Sequence, residues 1–166
     1  MEDVLIIGNH KFKSRLILGT GKFSSAEILR KTIEASETEM VTVALRRVDL
    51  NNPSDNLLGA LDLSKIIFLP NTSGAQNASE AVRIARMAKA TNFTDWVKLE
   101  ITPAHKYLLP DGEETLKAAS ILVKEGFKVM PYINADPVLA KKLEEIGCVS
   151  VMPLGSCIGS NQGLKT

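Results

Sequence analysis

Short apolar segments alternate with longer amphipathic ones along almost the whole chain. The short segments predict strands at residues 4–7, 11–12, 15–18, 40–45, 66–69, 95–101, 129–133 and 149–154. Apolar residues three and four positions apart predict helices at about 24–35, 56–61, 77–90, 111–126 and 136–147. After an opening hairpin, strand and helix alternate five times and a lone strand follows, which predicts a parallel sheet with right-handed crossovers.

Turn and cap residues delimit these segments. The pair Gly8-Asn9 suits the two-residue turn of a hairpin between the first two strands. Ser24 and Glu27 have the spacing of a capping box at the start of the first helix. Gly126 lies where the fourth helix should end.

The segment DWVKLEI, residues 95–101, has two unlike faces. One face carries Val97, Leu99 and Ile101, and the other carries Trp96, Lys98 and Glu100. Polar residues take the second face in neighbouring strands too: Thr42 and Arg46 in one, Tyr132 and Asn134 in another. Strands of an open parallel sheet are apolar on both faces, so this pattern favours a (β/α)8 barrel, whose strands end in a polar mouth.

The length of the chain bears on that fold. A complete barrel takes about 250 residues, whereas this chain has 166 and shows no linker or low-complexity segment. We therefore expect one domain over residues 1–166, an incomplete α/β barrel with about the first six strands and five helices.

Lys98 is the strongest candidate for chemistry. A lysine inside a barrel is partly desolvated, which lowers the pKa of the ammonium group and frees the amine to attack a carbonyl. Glu100 points to the same side, nearer the mouth, where its carboxylate can shuttle protons. The alternatives are a buried ion pair between the two residues and a lysine facing a water-filled rim.

Two other segments suggest anion binding. The run Gly19-Thr20-Gly21-Lys22 ends a strand and precedes a helix, where backbone N–H groups can hold an anion. Its spacing differs from that of a P-loop, and we favour a simple tight turn. Arg46 follows a strand directly and either binds a phosphate or carboxylate or pairs with Asp49.

Composition excludes several classes of function. The net charge of +1 argues against nucleic-acid binding and against binding to an anionic membrane surface. No apolar run approaches the ~20 residues that span a bilayer, and the first residues do not form a signal peptide. The cysteines Cys148 and Cys157 lack zinc-site spacing, and we expect Cys148 in the core and Cys157 more exposed. We expect His10 and His105 at the surface and a cytoplasmic protein, with the plastid stroma as the alternative.

Longer motifs point to a family. The runs LILGTGK, VTVALRRV, LPNTSG, DWVKLEI, YLLPD, PYINADPVLAKKLEEIGC and VMPLGSCIGS occur in this order from about residue 12 to residue 163. Together they resemble thiazole synthase of thiamin biosynthesis. The resemblance implies a (β/α)8 barrel enzyme, a transferase that forms homo-oligomers and requires no metal or redox cofactor.

The resemblance also implies a reaction. Its substrates are 1-deoxy-D-xylulose 5-phosphate, dehydroglycine and a small sulfur carrier protein with a C-terminal thiocarboxylate, and its product is the thiazole phosphate carboxylate used for thiamin. Lys98 would form the imine with the sugar ketone, and Glu100 would act as acid and base. Gly159 would contact the sugar phosphate; Arg46 and Asn134, at the same mouth, complete the predicted substrate-binding set.

Two departures from the family pattern bear on activity. A second catalytic carboxylate, in a V-D-A-G-(I/L)-G motif, is not found in these residues, and Asn161 replaces a glycine of the I-G-S-G-x-G loop. Asparagine tolerates the left-handed backbone region, so the loop conformation can persist. The competing hypotheses are a truncated, inactive scaffold that retains only partner binding and another Schiff-base barrel enzyme of the aldolase type.

Overall fold

Parallel strands and the helices between them form most of the computed structural model, which describes residues 4–45, 61–92, 94–104 and 106–165. The strands are β1 (Leu5–Ile7), β2 (His10–Phe12), β3 (Ile17–Gly19), β4 (Met40–Ala44), β5 (Ile67–Asn71), β6 (Trp96–Leu99), β7 (Lys128–Ile133) and β8 (Met152–Pro153). The helices are α1 (Ala26–Ser36), α2 (Ala78–Lys89), α3 (Gly112–Lys124) and α4 (Pro137–Glu145).

The six strands β3 to β8 form one sheet in chain order, and every neighbouring pair is parallel. This curled sheet is part of a (β/α)8 barrel, which confirms the predicted fold class. Within the described ranges four helices are present, because the predicted helix at 56–61 lies almost wholly outside them. Strands β3 and β8 are shorter than predicted because each lies at an edge of the sheet and has one neighbour.

The two faces of the sheet have separate cores. On the outer face, Val97, Leu99 and Ile101 of the β6 segment are at most 1% exposed and pack under α2, α3 and α4. The α2 residues that face the sheet are buried, namely Ala81, Val82, Ala85 and Ala88. The inner face has its own apolar cluster, the barrel floor, formed by Phe12, Met40, Leu69, Trp96 and Met130.

The hairpin β1–β2 supports the floor from below. Gly8 and Asn9 make its turn with φ of 54° and 66°, the left-handed values that a two-residue hairpin turn needs. A Cβ on Gly8 would lie 3.3 Å from Trp96, so the turn packs against the start of β6. Phe12 meets Trp96 edge to face, with ring centroids 6.2 Å apart. The hairpin therefore covers the end of the barrel where the strands begin.

The helix caps agree with the sequence except at α1. The predicted Ser24–Glu27 box is wrong: Ser25 is the N-cap, and its hydroxyl accepts a hydrogen bond from Ile28 N–H at 3.2 Å. Two adjacent serines precede the helix, and the extended backbone of Ser25 makes it the last non-helical residue. Gly126 follows α3 with φ of 80°, as predicted for a residue that ends a helix.

Cys157 and His10 lie as expected, whereas Cys148, expected in the core, is half-buried at its edge. Cys148 packs against the outer core, and burial raises the pKa of its thiol to about 12. Cys157 and His10 are exposed, whereas His105 lies outside the described residues. No helix in the described ranges is long and apolar enough to cross a membrane.

Candidate active site

An open cleft of about 560 Å³ lies on the inner face where the strands end. Its lining comes from the carboxyl ends of β3 to β6 and from the loop after β8: Gly19, Thr20, Gly21, Phe23, Thr42, Ala44, Asn71, Ser73, Lys98, Glu100 and Ile158. This is the end of a parallel barrel at which active sites form. The cleft lies one layer above the barrel floor.

Lys98 projects into the cleft from β6. Its side chain is half-buried, and Nζ lies 5.6 Å from the centroid of the Tyr132 ring. Among the residues described, Nζ makes no hydrogen bond or ion pair, and Glu100 does not lie within salt-bridge distance of it. The predicted alternative of an ion pair with Glu100 is therefore wrong, and Lys98 faces the cleft with no ionic or hydrogen-bonding partner for its amine among the described residues.

Glu100 lies on the same side, one step nearer the mouth. Only 8% of the residue is exposed. Thr72 fixes its backbone, because Glu100 N–H donates to Thr72 Oγ1 and Thr72 Oγ1 donates to Glu100 C=O, both at 2.8 Å. The carboxylate is thus carried on a rigid backbone and lines the same cleft as the Lys98 amine.

Tyr132 lies beside Lys98, two residues after Met130 of the barrel floor. Its side chain is 8% exposed, and its hydroxyl is buried without a hydrogen-bond partner among the described residues. Burial raises the pKa of the Tyr132 phenol, and the negative charges of Glu100 and Cys157 raise it further. The ring therefore stays neutral near pH 7 and gives Lys98 an aromatic surface.

The glycine run after β3 borders the opposite end of the cleft. Thr20 is buried, and both its N–H and its hydroxyl donate to Thr42 C=O at 3.2 Å. Gly21 and Lys22 form a turn, in line with the prediction. Gly19 and Gly21 also line the cleft, so this turn belongs to the site.

The loop after β8 covers part of the mouth. Gly159, Asn161 and Gly163 all have left-handed backbones, with φ of 78°, 52° and 70°. Asparagine at 161 therefore keeps the conformation that the resemblance suggested. Gly159 is exposed, and a Cβ there would meet nothing within 4 Å, so the backbone conformation rather than crowding favours glycine. Ile158, beside it, reaches the cleft.

Comparison with known proteins agrees with this geometry. The family described as thiazole biosynthesis protein ThiG matches residues 6–166 of the chain. The chain belongs to this family. A ThiG-family relative, thiazole synthase of Syntrophobacter fumaroxidans, is 62% identical over 166 residues, which are 100% of this chain and 65% of the relative. The thiazole synthase of Marinomonas sp. is 58% identical over 162 residues, 98% of this chain and 63% of the relative. The chain thus spans slightly less than two thirds of the length of these curated relatives.

A solved structure shares the ThiG-family architecture seen here. The crystal structure of the Amycolatopsis orientalis BexX/CysO complex has a chain that superposes with a TM-score of 0.80 at 27% sequence identity. The match covers 98% of this chain and 66% of that one. The likeness supports the fold described here.

The structure brings some of the predicted ThiG-family site residues together. Lys98 and Glu100 share the cleft, and Gly159 lies in the loop that contributes Ile158 to its lining. Asn134 is exposed outside this lining, and its amide donates to Pro110 C=O at 3.2 Å. Arg46, with its alternative partner Asp49, lies outside the described residues.

The sequence interpretation missed the contribution of β5 to this ThiG-family cleft. Asn71 and Ser73 line it, and Asn71 Nδ2 donates to Thr42 Oγ1 at 3.3 Å. A signal was present, because three polar residues, Asn71-Thr72-Ser73, directly follow a buried strand. Among the described residues no group of three or more His, Cys, Asp or Glu side chains could hold a metal ion.

Proposed function

We propose that this chain carries the imine-forming part of a thiazole synthase. The reaction makes the thiazole phosphate carboxylate precursor of thiamin from 1-deoxy-D-xylulose 5-phosphate, dehydroglycine and a sulfur carrier protein thiocarboxylate. The observation that carries the proposal is the Lys98 amine, half-buried in the cleft and unpaired among the described residues. Membership of the ThiG family supports the choice of substrates.

The first step needs an amine and a proton shuttle. The Lys98 amine adds to the C2 ketone of the sugar phosphate and water leaves, which gives a protonated imine. The positive charge acidifies the neighbouring C3–H bond, and Glu100 takes that proton as a general base. Return of a proton at C2 and loss of the C3 hydroxyl proton move the carbonyl to C3, where the sulfur of the thiocarboxylate can add.

Substrate and partner binding extend the same proposal. Gly159 contacts the sugar phosphate through its left-handed backbone in the mouth loop. Asn134 and Arg46 complete the substrate-binding set at the mouth. The sulfur carrier docks at this end of the barrel, and the fact that a structural neighbour was solved as the BexX/CysO complex supports a protein partner for this fold. We also propose that the chain assembles as a homo-oligomer, as the family resemblance implies.

One observation favours a second candidate function, a scaffold that binds partners without catalysis. In the described sheet, β3 and β8 each pair with one strand, so each has a free edge. Free edges of a sheet favour association with another chain. The experiment below separates this candidate from the enzyme.

Trapping of the imine tests the proposal. The 166-residue chain is incubated with 1-deoxy-D-xylulose 5-phosphate, reduced with borohydride and weighed by intact-mass spectrometry. We expect one adduct in the unchanged chain and none in Lys98→Ala.

Lys128→Ala is the matched control. Lys128 is also a strand lysine lying over an aromatic ring, with Nζ 5.1 Å from the Trp96 ring, but it is paired with Asp95 at 3.0 Å. We expect the Lys128→Ala variant to form the adduct normally. No adduct from a folded, unchanged chain would refute catalysis by these residues and favour the scaffold.

A further inference from the structure

The wall of the cleft beside Lys98 is built by Asn71. Strands β5 and β6 are in register at this point, with Asn71 directly opposite Lys98. Neighbouring strands lie about 4.8 Å apart, and both side chains line the cleft. Lys98 Nζ leans toward Tyr132 on the other side, so the space between Lys98 and Asn71 is part of the open cleft.

The orientation of the Asn71 amide is fixed by two hydrogen bonds. Ser73 N–H donates to Asn71 Oδ1 at 3.2 Å, and Asn71 Nδ2 donates to Thr42 Oγ1 at 3.3 Å. A flipped amide would set its NH₂ group against the Ser73 N–H, so both contacts select one orientation. The side chain is therefore held in place before any ligand binds.

This arrangement leaves two donors without acceptors in the described part of the chain. An amide nitrogen carries two hydrogens, and Asn71 uses one on Thr42. The Thr42 hydroxyl accepts that bond, and its own hydrogen has no acceptor among the described residues. Two neutral donors thus lie along the wall next to the amine, which suits a ligand oxygen rather than a cation.

We propose that Asn71, oriented by Thr42 and Ser73, donates a hydrogen bond to the C3 oxygen of the ketose bound as an imine at Lys98. The proposal rests on the proposed function for the identity of that ketose. In the imine, C3 is bonded directly to the carbon attached to Nζ, so its oxygen is within reach of the space between Lys98 and Asn71, and the proposal places it there.

The contact also has a role in the proton transfers. When the C3 proton leaves, the electron pair of the C3–H bond forms a C2–C3 double bond, the π pair of the C2–nitrogen bond moves onto nitrogen, and C3 keeps its hydroxyl group. That oxygen then loses its proton and becomes the new carbonyl while C2 gains a proton. A fixed N–H donor stabilises the growing negative charge on this oxygen without reorganising.

The test compares two ketones in the borohydride-trapping assay. One is 1-deoxy-D-xylulose 5-phosphate; the other is 5-phosphooxypentan-2-one, which has the same ketone and phosphate but no hydroxyl at C3 or C4. We expect Asn71→Ala to raise the half-saturating concentration of the first ketone about fivefold to tenfold, the effect of one neutral hydrogen bond. It should leave the value for the second ketone unchanged. An equal change for both ketones, or for neither, would overturn the proposal.

Further variants distinguish loss of the Asn71 contact from misfolding and from failure to form the imine. Thr42→Val removes the orienting hydroxyl at almost constant shape and should weaken binding of the first ketone alone. Thr32→Val is the matched control: the Thr32 hydroxyl donates to Ile28 C=O within α1 at 2.8 Å, outside the cleft lining, and its loss should change neither value.

If the unchanged chain forms no adduct, the proposed function is wrong. Calorimetry then tests separately whether Asn71 contacts the bound ketone. Binding of both ketones is measured in Lys98→Ala and in Lys98→Ala combined with Asn71→Ala. Loss of the preference for the hydroxylated ketone in the double variant supports the contact. An unchanged preference refutes it.

Discussion

The inner face of the sheet has two layers that differ in chemistry although the same four strands build both. The floor layer contains Met40, Leu69, Trp96 and Met130, and the mouth layer contains Thr42, Asn71, Lys98 and Tyr132. Each mouth residue follows its floor residue by two positions, so the period of a strand places both on one face. A shift of two residues along each strand thus separates the apolar floor layer from the mouth layer that carries Lys98.

Two strand lysines, Lys128 and Lys98, show how the surroundings differ between the two layers. Lys128 lies at the floor end over Trp96 and is paired with Asp95 at 3.0 Å. Lys98 lies at the mouth over Tyr132 and, among the described residues, has no charged partner. Both have an aromatic ring nearby, so the ring alone does not define a reactive amine. The open cleft and, among the described residues, the lack of an ion pair distinguish Lys98 from Lys128.

Trp96→Ala should have the largest effect on stability. Trp96 is 5% exposed and joins the hairpin to the sheet through Phe12. Removal of a buried aromatic side chain costs about 3–5 kcal/mol of unfolding free energy. Urea denaturation measures this loss of unfolding free energy. The comparison is Lys98→Met in the mouth layer, whose unfolding free energy we expect within about 1 kcal/mol of that of the unchanged chain. Equal losses for the two variants would contradict the division into layers.

Tyr132→Phe should change the dependence of stability on pH. Burial, Glu100 and Cys157 raise the pKa of the folded Tyr132 phenol above its unfolded value near 10. Between those pKa values the unfolded chain has lost a proton that the folded chain keeps, so folding weakens as pH rises above about 10. The Tyr132→Phe variant has no phenol to titrate, so it lacks this loss of stability at high pH.

Urea denaturation of both proteins at pH 8 and at pH 10.5 checks this sign. At pH 8 the Phe variant should be at least as stable, because the hydroxyl has no partner in the described structure. A parallel decline of the two proteins above pH 10 would contradict the assignment.

Asp95→Asn should have the smallest effect. The Lys128–Asp95 pair is partly exposed, with 37% and 45% of the side chains accessible, and such pairs contribute about 0–1 kcal/mol. Loss of the pair leaves Lys128 without its partner but still at the floor end, away from the cleft. We expect the trapped ketose to stay on Lys98. Transfer of the adduct to Lys128 would mean that pairing alone, rather than the cleft, controls reactivity.

The alternation in residues 95–101 was sufficient to predict the strand, its two faces and the shared side of Lys98 and Glu100. Local patterns also gave the hairpin turn and the ends of most helices. The register between strands is not local, so the pairing of Asn71 with Lys98 could not be obtained from either segment alone. The hydrogen bond from the Asn134 amide to Pro110 C=O, in the loop that precedes α3, could not be predicted for a similar reason.

Peptide mapping of the borohydride-reduced adduct tests the central claim most directly, because it identifies the residue that carries the ketose. The account predicts a single modified site at Lys98, with Lys128 unmodified in the same digest. An adduct on Lys128, or one spread over exposed lysines, would contradict the assignment of the cleft as the imine-forming site.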